Sequence, residues 1–228
     1  MRILRDSDFF HSDQHAFCLF TMNNQLMEGV HGHEFDELVI VRDGSGFHIV
    51  NDIVHFICKG DFFIVTKNDT HSYVSTNHLS VINILIRRNH NFHFLQHIDT
   101  LLQCVKTQLQ SRNDRTLTSR ALANIEAWSD QIVSRNENDY DALYFSQCEA
   151  AFLNVVNTLC QCGRQTEVLN AEERGQASLI RTLKSNSLRQ LDWGALSDES
   201  GVARRTMFRF IKRITGYTPV RFQMLFRV

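Results

Sequence analysis

From Val30 to Arg87 the apolar residues come in short runs separated by turn-forming residues. Leu38 to Val41, Phe47 to Val50, Val54 to Ile57, Phe62 to Val65 and Val81 to Ile86 are rich in β-branched and aromatic side chains, which marks them as strands. The breaks hold Asp43-Gly44-Ser45-Gly46, Asn51-Asp52, Lys59-Gly60-Asp61 and Lys67-Asn68-Asp69. Such residues supply the positive φ angles and side-chain turn bonds that tight reversals require. Short strands at this spacing predict an antiparallel barrel or jelly roll.

Past about residue 92 the period changes. Leu117, Ala121, Ile125, Trp128 and Ile132 recur at helical spacing, and Leu143, Cys148, Phe152, Val155, Val156 and Leu159 line a second helix with Gly163 as its stop. The polar stretch Ser134 to Asp141 makes them an antiparallel pair, whose surplus apolar face is expected to cover the barrel, with a dimer seam as the alternative. The polar run from Gln165 to Gln176 reads as a linker. It places a domain boundary near residue 170, with a sensor-sized unit at 1–170 and an all-α unit at 171–228. The expected fold class is therefore α+β.

The most specific pattern lies between Leu191 and Thr215. Asp192 can cap a helix running to about Ser200, Gly201 supplies a turn, and a second helix from Ala203 to Thr215 is closed by Gly216. Leu196, Val202, Met207, Ile211 and Ile214 can share one small core. This leaves Arg204, Arg205, Phe208, Arg209 and Lys212 away from it. Arginine can pair two donors with guanine in the major groove while other cations hold phosphates, so Arg204, Arg205, Arg209 and Lys212 are the candidate DNA contacts.

Charge sharpens that reading. The chain carries −1 overall, yet residues 174–228 hold eleven basic and three acidic side chains, and the remainder is correspondingly acidic. An acidic sensor joined to a nucleic-acid-binding segment has this asymmetry. With 228 residues and 43% hydrophobic content, the chain can bury one large core or two modest ones. Its longest apolar runs fall far short of the roughly 20 residues of a membrane helix, and no signal-peptide stretch opens it, so a cytoplasmic protein with no membrane partner is expected. Six scattered cysteines, of which only Cys160 and Cys162 are close, form no zinc pattern and read as reduced structural thiols.

His31-Gly32-His33 followed by Glu37 and Gly44 puts two imidazoles and a carboxylate at alternating strand positions facing one way. Gly60 and His71 follow at a comparable strand-turn position. These residues resemble the two motifs of the cupin barrel, whose interior they would line. The resemblance implies a ligand site made of His31, His33, Glu37 and His71. A sugar needing several converging donors and acceptors is the preferred ligand, and a metal ion such as iron, manganese, nickel or zinc is the alternative. The expected site has no bound metal, no cofactor and no catalytic residue; a metal-dependent cupin enzyme is the rival reading. The other eight histidines, His48 among them, show no partner pattern and read as surface or turn residues.

Ala203-Arg204-Arg205, Met207-Phe208-Arg209-Phe210-Ile211-Lys212 and Gly216-Tyr217-Thr218-Pro219 resemble the first helix-turn-helix of the AraC/XylS family. Pro219, the only proline in the chain, falls on that family's Gly-x-x-Pro. Ala203 departs from the usual serine and forgoes a cap worth about 0.5–2 kcal/mol. Asp8-Phe9-Phe10, His31 to Asp52, Gly60-Asp61-Phe62 and Asp69 to Tyr73 are similar to the L-rhamnose-responsive members. The resemblance implies L-rhamnose or a related sugar as ligand, a homodimer on promoter half-sites, RNA polymerase as a partner, and activation of rhamnose-utilisation genes. Phe222 to Val228 resembles the start of the helix connecting two helix-turn-helix units. A DNA-binding domain truncated after its first unit is thus the expectation. It would neutralise fewer phosphates and bind DNA more weakly, with sensing and dimerisation retained as a further alternative function.

Overall fold

A computed structural model describes residues 2–10, 12–24, 29–87, 92–111, 116–133, 140–162, 171–185 and 191–225. Seven strands, β1 (Arg2–Leu4), β2 (Phe17–Met22), β3 (His31–His33), β4 (Asp36–Val50), β5 (Ile53–Cys58), β6 (Phe62–Val65) and β7 (His71–Ile86), form one sheet. Its order is β1-β3-β7-β4-β5, with β2 beside β7 and β6 beside β4. The path does not return to its starting strand, so the expected closed barrel is instead a folded, unclosed sheet. Seven helices follow: α1 (Ile98–Ser111), α2 (Ser119–Val133), α3 (Ala142–Gln161), α4 (Ala171–Ser185), α5 (Trp193–Ser200), α6 (Arg204–Thr215) and α7 (Pro219–Leu225).

The predicted break at Asn51-Asp52 is a true reversal. Asn51 and Asp52 both adopt positive φ, 48° and 66°, and close the β4–β5 hairpin between the paired Val50 and Ile53, as a two-residue hairpin loop demands. Gly60, at φ 89°, lies instead in a turn that offsets β5 from β6 without reversing the chain, because both strands run antiparallel to successive stretches of β4. Asp43 to Gly46 is different: the strand runs straight through it, and its pairing with β7 slips at Val41/Asp43, Asp43/Ser45 and Ser45/Phe47. These bulges replace the predicted turn, and β4 is one long strand. Gly44, at φ 71°, lets the partner strand approach so closely that a Cβ there would lie 2.2 Å from the His78 carbonyl oxygen.

The bulges also change which way side chains point, because an odd number of extra residues inverts strand alternation. Before them Leu38 and Ile40 pack outward against the helices, with Val39 and Val41 inside. After them Phe47 packs outward while His48 stacks inside on Tyr73 and Phe63.

Two helical layers cover the outer face. Leu122, Ile125, Phe152, Val155, Val156 and Leu159 of α2 and α3 pack on Leu38, Ile40, Ile82 and Ile84, so the predicted helical pair covers the sheet as expected. Glu149 of α3, buried, accepts the backbone N–H groups of His93, Phe94 and Leu95 and fixes the approach to α1. The second layer joins Leu179, Leu183, Leu196, Met207, Phe210, Ile211 and Phe222 to Phe47, Phe56 and Cys58 of the sheet. Helix α4 begins at Ala171, so the C-terminal part of the predicted linker is helical; its earlier part and Gly163 lie outside the described residues.

Candidate functional site

The helix-turn-helix forms as its end signals dictate. The Asp192 carboxylate accepts from Gly194 N and Ala195 N at the start of α5, and Gly201 takes the left-handed conformation at its end. Gly216, at φ 75°, closes α6 in the same way. Leu196, Met207 and Ile211 are buried, with Val202 and Ile214 packed against them, which is the small core expected. Phe208 is not free of it: the ring is half-buried and meets Trp193 edge-on at 6.1 Å. Arg204, Arg205, Arg209 and Lys212 are exposed. Arg205, Arg209 and Lys212 share one face at i, i+4 and i+7 spacing. Arg204 lies over the Phe208 ring, 5.3 Å from its centre.

Inside the sheet, the four predicted ligand residues converge from three strands. His31 and His33 lie on β3, Glu37 on β4 after a break at Glu34-Phe35, and His71 opens β7 directly opposite His31. The predicted single strand is therefore two, with the same convergence. All four are buried, with at most 6% of their surface exposed. His33 Nε2 and His71 Nε2 face each other at 2.9 Å, and Glu37 Oε2 lies 3.5 Å from each. His31 Nδ1 donates to the Gly29 carbonyl at 2.9 Å. One ligating atom from each of His31, His33 and His71 can be chosen so that all lie within 4.8 Å of one another.

His48 is the buried member of this cluster that the sequence reading missed. It is 2% exposed, and its Nε2 is 2.8 Å from His71 Nδ1. Nothing in its local spacing points inward, because the bulged stretch before it inverts the alternation on which face assignments rest. Burial, reinforced by the neighbouring imidazoles, pushes His33 down to about 4, His48 to about 3 and His71 to about 2. At neutral pH these rings are uncharged and hold nitrogen lone pairs. Such a donor set, imidazole nitrogens beside a carboxyl group, fits a divalent transition-metal ion as well as it fits hydroxyl groups. Two cavities lie elsewhere and include none of these residues: one of about 230 Å³ between β2 and α3, and one of about 540 Å³ beside Trp128.

A folded sheet enclosing polar side chains, with a docked helix-turn-helix that keeps its basic face outward, points to a DNA-binding regulator of the helix-turn-helix type. The chain is 33% identical over 213 residues to the HTH-type transcriptional activator RhaS of Mannheimia succiniciproducens, covering 93% of this chain and 76% of that one. It is 28% identical over 222 residues to RhaS of Pectobacterium atrosepticum, covering 97% and 79%. The chain belongs to the RhaS family of transcriptional activators. No family model matches it. Among solved structures, the AraC-like activator CuxR aligns over 85% of this chain and 66% of that one at 10% identity and a TM-score of 0.35. A cupin-2 domain protein of Shewanella frigidimarina covers 32% of this chain and 72% of that one at 18% identity and 0.29. At these scores neither carries an argument. Among the described residues no helix is long and apolar enough to cross a membrane.

Proposed function

We propose that this activator is sugar-responsive, with L-rhamnose or a related sugar as its ligand and rhamnose-utilisation genes as its targets. His31, His33, Glu37 and His71 form the ligand site, and Arg204, Arg205, Arg209 and Lys212 of α6 contact a promoter half-site. A homodimer that recruits RNA polymerase is the working assembly, and 1–170 and 171–228 are its sensing and DNA-binding units. Within the family we read the motif residues Asp8 to Phe10, His31 to Asp52 and Gly60 to Tyr73 as resembling RhaR first and RhaS next.

One observation carries this reading. The strand β4 supports both units: Glu37 and His48 face the sheet interior, while Phe47 is stacked into the aromatic cluster of the DNA-binding helices, 5.6 Å from Phe222. Ser45 donates from its hydroxyl to the Ile214 carbonyl at the end of α6. A ligand that prefers one arrangement of β4 thereby shifts the population of DNA-binding states. The rival enzyme reading has no support from the relatives, which are transcriptional activators.

Calorimetric titration with L-rhamnose, with L-arabinose and D-glucose as comparators, tests the sensor. Selective rhamnose binding that alters affinity for rhamnose-promoter DNA is the expected result. Equal binding of all three sugars, or of none, removes the rhamnose assignment.

A further inference from the structure

We infer that the cavity of about 540 Å³ between the N-terminal part of α2 and the last turns of α3 is a second ligand site, built for a hydroxylated anion such as a phosphorylated or carboxylated sugar, and that its occupant acts on the DNA-binding layer through Thr116 and Asp61. This site shares no residue with the sheet interior and does not depend on what binds there.

The cavity falls within the roughly 300–1,000 Å³ usual for small-molecule sites, and its lining combines one charge with several unspent polar groups. Arg120, Asn124 and Trp128 recur at i, i+4 and i+8 on α2 and so stand in one row along it, with Gln161 lining it from α3. None of these four has a hydrogen-bond or ion-pair partner among the described residues. Arg120 is the only charged residue of the lining, so the cavity presents an unneutralised guanidinium, whose paired donors match a carboxylate or phosphate. The two amides and the indole N–H can bond to hydroxyl groups. The half-buried Trp128 ring, packed on the core of the first layer, offers an apolar flank to a sugar's carbon skeleton. A wholly apolar ligand would leave these groups unpaired, and a bare inorganic anion would engage Arg120 alone.

Thr116, also in the lining, is where the cavity meets the other layer. Its hydroxyl donates to Asp61 Oδ1 at 3.2 Å, and that same oxygen is the partner of Lys184 on α4. Leu117, next along the chain, donates its N–H to the Gly60 carbonyl at 2.8 Å. A Cβ at Gly60 would lie 2.8 Å from Thr116 Cγ2, so Thr116 has little room to move without moving the β5–β6 turn. An occupant that prefers one position of Thr116 thereby biases the Asp61–Lys184 contact that seats α4, and with it the population of DNA-binding states.

The full chain has two tryptophans, so Trp193→Phe leaves Trp128 as the sole reporter. Titration of that variant with D-glucose 6-phosphate and D-gluconate, with D-glucose and inorganic phosphate as comparators, is expected to change Trp128 emission saturably for at least one of the two sugar anions, with binding at least about 10-fold tighter than for either comparator. Arg120→Gln, at an exposed position, should weaken that binding about 10–100-fold and leave circular dichroism and any L-rhamnose binding as they were. Thr116→Val should keep the binding but abolish the effect of the same sugar anion on promoter-DNA affinity, read by fluorescence anisotropy in the chain with both tryptophans. No response to either sugar anion, a response to phosphate or glucose as strong as to them, or binding by Arg120→Gln equal to the parent's overturns the site. Emission that follows protein concentration instead of ligand means that a second copy covers the cavity, and overturns it as well. DNA affinity unchanged at saturation overturns the route through Thr116.

Discussion

The two helical layers rest on the same sheet and use it in different ways. Helices α1 to α3 cover it through a broad, largely aliphatic core in which Ile125, Phe152, Val155, Val156 and Leu159 are wholly buried. Helices α4 to α7 cover it through a smaller core, rich in rings where Phe222 meets Phe47 and Phe56 of the sheet, and add the Ser45 hydroxyl to Ile214 and a buried ion pair between Lys184 and Asp61; the first layer's own ion pairs to β4, Lys106 to Asp36 and Arg42 to Glu126, are more exposed. A side chain at Gly216 would press on Asn77. Apolar burial is non-directional, whereas hydrogen bonds and ion pairs need particular geometry. The first layer thus rests mainly on apolar cover, and the second depends more on the position of β4 and the β5–β6 turn, where its buried polar contacts lie.

The sharpest break of this comparison uses the two tryptophans, since Trp128 lies on α2 and Trp193 on α5. Phe152 and Phe222 are both fully buried, and replacing either with alanine should cost about 3–5 kcal/mol. Phe152→Ala is expected to lower the urea midpoint seen by both tryptophans, because the second layer loses its support. Phe222→Ala should lower only the Trp193 midpoint. If Trp128 and Trp193 report one coincident transition in Phe222→Ala, the layers are a single cooperative unit and the distinction fails.

A smaller but more selective effect is expected at the ion pair. Asp61 also accepts from Thr116 Oγ1 and from Cys58 N, so Lys184→Met strands a buried carboxylate that keeps two partners. The loss should be about 3 kcal/mol, at the low end for breaking a buried pair, again read at Trp193. Lys184→Met combined with Asp61→Asn should recover most of it, since removing both charges is often near neutral. A double variant no more stable than Lys184→Met would mean that the charge pair is not what is being measured.

What was legible in the sequence follows the range of the interactions involved. The ends of α5 and α6 were readable because Asp192, Gly201 and Gly216 act on backbone within a few residues of themselves. The Asn51-Asp52 hairpin was readable for the same reason. Asp43 to Gly46 was not, because glycines and a short polar residue suit a bulged strand as well as a reversal, and only the distant partner β7 decides between them. His48 was lost with it: its company is His71, 23 residues away, on a face the bulges had inverted. His31, His33, Glu37 and His71 were found because the strand break between them left their facing intact. Helix α4 was hidden by the polarity of its first turns, although Leu179 and Leu183 are wholly buried.

The exposed face of α6 should affect DNA binding alone. Arg205→Ala, Arg209→Ala and Lys212→Ala are each expected to leave both urea midpoints in place, as surface substitutions do. A variant that removes a bidentate base contact should weaken promoter binding by about 1–3 kcal/mol and relax sequence preference. One that removes a phosphate contact should instead reduce the salt slope by about 0.9. Fluorescence anisotropy at several salt concentrations assigns each residue to one group. Full binding by all three variants would remove α6 as the reading helix.

The smallest expected effect is a gain. Ala203 stands at the N-cap of α6 with extended-type angles, φ −54° and ψ 134°, and its methyl group accepts nothing. The amides of Arg205 and Thr206 are among the four that a helix start leaves without an intrahelical partner. A serine hydroxyl at 203 can accept from one of them, and the exposed position admits the extra atom. Ala203→Ser should therefore add about 1 kcal/mol, confined to the second layer: Trp193, which meets Phe208 of α6, should report a later melt, and Trp128 an unchanged one. A shift in Trp128 as large as that in Trp193 would show that α6 and the first layer unfold together, and would erase the contrast between the layers from its stabilised side. No shift in either would show that these amides are already satisfied by water and that the cap adds nothing at this helix.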